Sequence, residues 1–323
     1  MKVRRFKGLL ASLKDLTGTQ IEEARRALGE VHQKRASIEA IEQARPVGCR
    51  HCGSEHVVRN GTRCGLQRWL CRACNRSSSA TTGTPLSRLR RKHKFEAYAR
   101  CLEQGMTIRQ AAETVGICVD TAFRWRHRFL ETAVGHQPHA VAGMLEVDET
   151  YFPYSEKGAR HLARAPRRRG GAKGRGSGRR REDWVPVLVG RGRGLPATTD
   201  CVLERMTGKA VTEALSGVVT PGETVVCTDG HSAFLGLQHS LNVATKSFVA
   251  SEHGPVLDRV YHVQTVNQYH GALKGWIQGR LRGVATKYLP HYLAWMRLKS
   301  WDSRGVSPPD IVASALGKQV INL

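Results

Sequence analysis

Between residues 141 and 230, apolar positions fall in runs of strand length, each closed by polar or turn-forming residues. Gly143-Met144-Leu145-Glu146-Val147-Asp148-Glu149-Thr150-Tyr151-Phe152 carries a carboxylate near its end, and the β-branched run Glu223-Thr224-Val225-Val226-Cys227-Thr228-Asp229-Gly230 stops at an Asp-Gly break. Runs of this kind predict strands, and they put Asp148 and Asp229 at strand ends. Trp184–Val189 and Thr198–Leu203 add two strands, and the period becomes helical around Lys209–Val218. Residues 262–276 are also helical in period, with positions 267, 270, 271 and 274 on one face. The first 45 residues predict two polar helices, around Ile21–Leu28 and Ile38–Ile41, and a basic helical tract follows at 86–134.

Within that tract, residues 107–129 have the layout of a helix-turn-helix. Thr107 can cap the first helix with Gln110 at the capping-box position, and Ala111 and Ala112 permit close helix contact. Gly116 makes the turn, and Asp120 or Thr121 caps a second helix that carries Arg124, Arg126 and Arg128 towards DNA. An ordinary αα-hairpin with a solvated basic face is the competing reading.

Nine cysteines in 323 residues are too irregularly placed for a disulfide framework, but Cys49-x2-Cys52 and Cys71-x2-Cys74 have zinc-ribbon spacing. One structural zinc is expected there, with Cys64 as the competing ligand. Cys101, Cys118, Cys201 and Cys227 sit among apolar residues and are expected as core thiols. The expected organisation is an N-terminal helical segment (1–45), a zinc ribbon (46–80), a helix-turn-helix (86–134), an α/β domain (141–300) and a C-terminal tail (301–323).

Charge identifies the partner class. Fifty-one Lys and Arg against 27 Asp and Glu leave +24, a surplus that seeks a polyanion, and nucleic acid leads. No apolar stretch approaches a membrane span and no signal peptide is legible, so a cytoplasmic, nucleoid-associated protein without a membrane partner is expected. Residues 155–182 hold eleven cations against two acids, with six glycines. This insert follows the Asp148 strand directly, and is expected as an arm that neutralises DNA phosphates through Arg167, Arg168, Arg169, Arg179, Arg180 and Arg181.

Hard divalent cations take oxygen ligands, and two such ions about 4 Å apart can clamp an in-line displacement at phosphorus. Asp148 and Asp229 suffice to hold a bridging ion; from the 262–276 helix Asn267 offers a third oxygen and Lys274 a grip on phosphate. His270 shares that face, where a packing or DNA-facing role competes with orienting water. Glu146 points to the same side of its strand as Asp148, while Glu149 is expected to point away. Three strands in succession, a crossover helix and a fourth strand match a ribonuclease H-like mixed sheet flanked by helices. In that order the first strand is central and the fourth lies beside it in parallel.

Taken jointly, the four ribbon cysteines, Thr81-Thr82-Gly83-Thr84, Val147-Asp148-Glu149-Thr150-Tyr151-Phe152, the basic insert, Thr228-Asp229-Gly230, His262 to Asn267, Leu273-Lys274 and Gly283 to Trp295 resemble the zinc-ribbon insertion-sequence transposases of the DDE superfamily, in the D-D-N-K branch. The resemblance spans most of residues 45–300. It implies that Asp148, Asp229 and Asn267 ligate two magnesium or manganese ions and that Lys274 contacts DNA near the reacting phosphate. It also implies double-stranded DNA, as terminal repeats and target, bound by a homodimer or higher multimer on paired ends. Asn267 stands where most DDE enzymes have Glu. Two rivals stay open: a DNA-binding regulator that no longer catalyses, and a stand-alone ribonuclease H-like nuclease.

Overall fold

A computed structural model describes residues 3–163, 183–194, 197–247, 260–300 and 306–318. The chain divides into two compact units, residues 1–122 with 307–318, and residues 123–306 with 319–323.

The first unit opens with helices α1 (Val3–Ser12) and α2 (Gly18–Gln43). Where the sequence suggested two polar helices around Ile21–Leu28 and Ile38–Ile41, α2 is continuous. Thr17 and Gln20 close a capping box at its start, and Gly29 in its interior, at a cost of about 1 kcal/mol, does not break it. Ser37, Ala40 and Ile41, near its C-terminal end, are its buried residues. Strands β1 (Val57–Arg63), β2 (Leu66–Cys71) and β3 (Ser77–Ser78) form a small antiparallel sheet. Arg63 pairs with Leu66, so the β1–β2 loop is the dipeptide Cys64-Gly65, whose φ values of 52° and 84° suit a type I′ hairpin turn. Cys64 is thereby held at a loop tip.

Helices α3 (Phe95–Glu103), α4 (Ile108–Val115) and α5 (Val119–Leu130) follow. Thr107 and Gln110 form the expected capping box, and Gly116 closes α4 at φ 65°. Helix α5 starts at Val119, ahead of the expected caps Asp120 and Thr121, with the Cys118 carbonyl accepting from Ala122 N–H. Residues 301–323, expected as a tail, contain a further helix (Pro308–Ala315), which packs on α3 and α2 and buries Ile311, Val312 and Ala315. Ser307 and Asp310 box its start.

In the second unit, β4 (Val141–Pro153), β5 (Trp184–Gly192), β6 (Thr198–Val202), β7 (Val219–Thr228) and β8 (Ala244–Ser247) make one sheet in the order β6-β5-β4-β7-β8. The first three pair antiparallel, and β7 and β8 continue the sheet in parallel on the other side of β4. This is a ribonuclease H-like mixed α/β sheet, with the expected first strand at its centre and a fifth strand beyond the four expected. The crossover before β7 is α6 (Gly208–Leu215), and α7 (Leu237–Leu241) leads to β8. Leu145, Val147, Leu188, Val211, Leu215, Val226, Phe234 and Leu237 share the core on this face. Helices α8 (Gln264–Lys274) and α9 (Leu289–Ser300) complete the unit. The C-terminal helix described above is α10.

Candidate metal centre and nucleic-acid interface

The parallel pairing of β4 with β7 brings the two aspartates together. Gly143 pairs with Thr224 and Glu146 with Cys227, an offset of 81 residues in each case, and Asp148 and Asp229 keep that offset just past the end of the paired segment. One ligand oxygen from each of Asp148, Glu149 and Asp229 lies within 4.8 Å of the others. Glu149 was expected to face away by strand alternation. It does not, because β7 has ended at Thr228 while β4 runs on to Pro153, which leaves an open strand edge for its longer side chain.

Electrostatics mark this cluster as short of positive charge. Asp148 is 9% exposed. Burial first, then the charges of Asp229 and Glu149, push its pKa up to about 7, against smaller lowering effects of the Glu149 N–H and Lys274. Burial also raises Glu149, whose Oε2 is buried with no hydrogen-bond partner among the described residues. An all-oxygen set with an orphaned carboxylate oxygen suits a hard divalent cation, and the residues fit magnesium or manganese.

Helix α8 runs past this cluster. His270 is buried, with Nδ1 3.6 Å from Asp148 Oδ2. Its pKa falls to about 4 through burial and the Lys274 charge, so it stands neutral at pH 7. Lys274 is exposed at the helix end, and Asn267 is exposed one turn before His270. The structure joins Asp148 and Asp229 closely, and the Asn267 side chain makes no hydrogen bond among the described residues.

Glu146 anchors the start of α8. It is fully buried and accepts from Thr265 N–H at 2.8 Å, Thr265 Oγ1 at 2.9 Å and Val266 N–H at 3.1 Å. Arg193 adds Nε at 3.0 Å and Nη2 at 2.8 Å. Val263, the cap residue of α8, gives no side-chain cap, so a carboxylate from the central strand serves the unpaired N–H groups of the helix. Farther along α8, Tyr269 donates to buried Asp200 on β6. The legible signal for Glu146 was its period-two spacing from Asp148.

In the ribbon, the Sγ atoms of Cys49 and Cys74, and of Cys52 and Cys71, are each 3.7 Å apart, and all four lie within 4.8 Å of one another. Four thiolates at about 2.3 Å from one zinc would have sulfurs about 3.8 Å apart, so the geometry fits. Backbone N–H groups of Cys74 and Ala73 lower the Cys71 pKa to about 6, against the effect of burial. Cys64 stays outside the cluster. Cys101 and Cys227 are buried as expected; Cys118 is exposed, with Sγ 3.0 Å from Thr121 Oγ1 at the start of α5.

On α5, Arg124 and Arg128 are exposed, Arg128 pairing with Glu131. Arg126 was expected to face DNA and is instead 1% exposed, its guanidinium 4.7 Å over the Trp295 ring. Arg167, Arg168, Arg169, Arg179, Arg180 and Arg181 lie outside the described residues. Lys157, at the start of that insert, spends its ammonium on the carbonyls of Leu281, Arg282 and Gly283.

Residues 140–299 match the ISXO2-like transposase domain. The chain belongs to the DDE transposases of that family. Residues 86–148 of this transposase match a homeodomain-like domain, which covers the helix-turn-helix, and DNA is its partner. The transposase is 28% identical over 273 residues to a Halobacterium salinarum protein described as "Uncharacterized protein in transposable element ISH50", covering 83% of this chain and 91% of that one. Its similarity to the catalytic core domain of BIV integrase is 13% identity and a TM-score of 0.31 over 52% of this chain and 91% of that one. Among the described residues, no helix of the transposase is long and apolar enough to cross a membrane.

Proposed function

We propose that this protein binds the terminal repeats of its insertion sequence, cleaves DNA at their ends and joins the freed ends to target DNA. The observation that carries the reading is the meeting of Asp148, Glu149 and Asp229 at the end of the central parallel strand pair, beside a helix that ends in Lys274. Asp148 and Asp229 would hold two divalent ions, magnesium or manganese, with Asn267 as the ligand from α8, and the ions would supply Lewis acidity for an in-line displacement.

In the first step water attacks the phosphorus at the element's end. The bond to O3′ breaks, water gives up a proton to solvent, and the departing O3′ takes up a proton from solvent, which leaves a 3′-hydroxyl. In the second step that hydroxyl attacks a target phosphodiester, loses its proton to solvent and displaces the target's O3′, which is protonated from solvent, with no covalent enzyme intermediate. Lys274 holds a phosphate oxygen near the reacting bond, and neutral His270 limits the rotation of Asp148. Paired ends require a homodimer or larger assembly, with Arg124 and Arg128 on the duplex. The arginines 167–169 and 179–181 neutralise DNA phosphates. Strand transfer of a duplex ending in the element's terminal repeats, with magnesium or manganese, tests the reading: no joining in either metal by zinc-replete protein rejects it.

Asn267 gives a graded prediction. Asn267→Ala removes a ligand oxygen and should lower joining by about a hundredfold, whereas Asn267→Asp keeps an oxygen and retains part of the activity. Manganese, with its looser geometry, should help the weak variants more. Parental activity of Asn267→Ala in both metals would transfer the third-ligand role to Glu149.

For the ribbon, we expect one zinc per chain by elemental analysis, and rapid proteolysis within residues 46–80 once Cys71→Ser has removed a ligand, because binding of the ion supplies folding energy to a segment with little core. A zinc-free protein with an intact ribbon would refute the assignment.

A further inference from the structure

The first unit contains a recess of about 970 Å³ between α2, the β1–β2 hairpin and the segment that leads into α3. Lys34, Arg63, Arg68, Arg90, Arg91 and Lys92 line it, and no Asp or Glu does. Lys34, Arg63, Arg68, Arg90 and Arg91 make no salt bridge and no side-chain hydrogen bond among the described residues. Five uncompensated cations around one concavity repel one another in the free protein, and that repulsion is relieved by a polyanion.

Two features show that the recess is built. Lys92 is only partly exposed and directs its ammonium inward, to the carbonyls of Leu86, Ser87 and Leu89. These bonds draw residues 86–92 into a closed loop that holds Arg90 and Arg91 at the rim. Arg91 adopts φ 55° and ψ 42°, a left-handed conformation that a side chain bearing Cβ rarely takes and that surrounding structure must enforce. His93, at the recess wall, has its pKa lowered by burial and then by Lys94, Lys34 and Arg91, as expected where positive potential accumulates.

We infer that this recess is a phosphate-binding cradle for the backbone of double-stranded DNA, distinct from the exposed arginines of α5. Arginine and lysine without partners contact phosphate oxygens and fix the register of a duplex, while sequence is read elsewhere. Ser77, Ser79 and Thr82 bring hydroxyl donors to the same wall. The cradle lies wholly within the first unit, between the ribbon hairpin and the segment that leads into α3. The inference rests on DNA as the partner and not on the chemistry at the aspartates.

The test is equilibrium binding of the full, zinc-replete chain to a fluorescent 30-base-pair duplex of mixed sequence, over a series of salt concentrations. Each phosphate contact contributes about 0.9 to the slope of log affinity against log salt. Arg63→Ala/Arg90→Ala/Arg91→Ala should lower that slope by about 2 to 3 and weaken binding at least about tenfold. The charge-keeping Arg63→Lys/Arg90→Lys/Arg91→Lys should recover most of both. A charge-matched control, Arg4→Ala/Arg5→Ala/Arg26→Ala on α1 and α2, should change the slope by less than 1. Asp148→Ala should keep the parental slope, so failure of the proposed chemistry and failure of the cradle are told apart. Should the alanine triple variant lose zinc, Arg90→Ala alone gives the reading, with an expected slope change of about 1. Parental slope and affinity in the cradle variants overturn the inference, as does an equal loss in the control. A slope change confined to single-stranded DNA or RNA overturns the duplex assignment.

Discussion

Asp148→Ala and Asp229→Ala each reduce cleavage and joining by about a thousandfold or more, with duplex binding held within about twofold. Lewis-acid stabilisation is worth several kcal/mol at the barrier, and about 4 kcal/mol corresponds to that factor. Affinity for DNA comes from the cationic surfaces, so it should not follow. A second readout needs no activity: at a hundred times its dissociation constant, a bound ion stabilises the fold by about 2.7 kcal/mol. For a unit of this size that is a rise in Tm of roughly 5–10 °C with magnesium or manganese, absent in either alanine variant. Asp148→Asn should also raise the metal-free Tm at neutral pH, because a buried carboxylate facing Asp229 and Glu149 is replaced by a neutral group of the same shape. Equal loss of DNA binding in both alanine variants would show instead that these aspartates hold the fold together.

Much of this arrangement was legible because its signals are local. The strands between 141 and 230 follow from β-branched runs closed by Asp-Gly and similar breaks, the zinc cluster follows from knuckle spacing, and Thr107 with Gln110 forms the helix cap that their spacing announces. What escaped depends on where neighbouring elements end. Glu149 joins the carboxylates because β7 stops before β4 does, and a rule of alternation along one strand carries no record of its partner's length. Arg126 carries a charge that composition assigns to solvent, yet Trp295, from a helix about 170 positions away, covers it. Glu146 went unassigned for the same reason: its partners Arg193 and Thr265 are 47 and 119 residues away.

Glu146→Ala should destabilise the second unit by about 3–5 kcal/mol and remove most joining activity even where the protein remains folded. Removing the carboxylate leaves the partly buried Arg193 without its counter-charge, and breaking one side of a buried ion pair costs that much. It also leaves the N–H groups of Thr265 and Val266 without their acceptor at the start of α8. The effect reaches the proposed chemistry through geometry, since Glu146 and Asp148 lie two residues apart on one face of β4 and α8 carries Asn267, His270 and Lys274. Glu146→Gln separates stability from alignment. It keeps one acceptor oxygen and the shape while giving up the charge, so it should fold with a smaller loss and bind duplex DNA as the parent does. The magnesium concentration needed for half-maximal joining should nevertheless rise, with partial rescue by manganese. A carboxylate that served stability alone would leave the metal requirement of the folded glutamine variant unchanged, and that result would remove Glu146 from the positioning of the site.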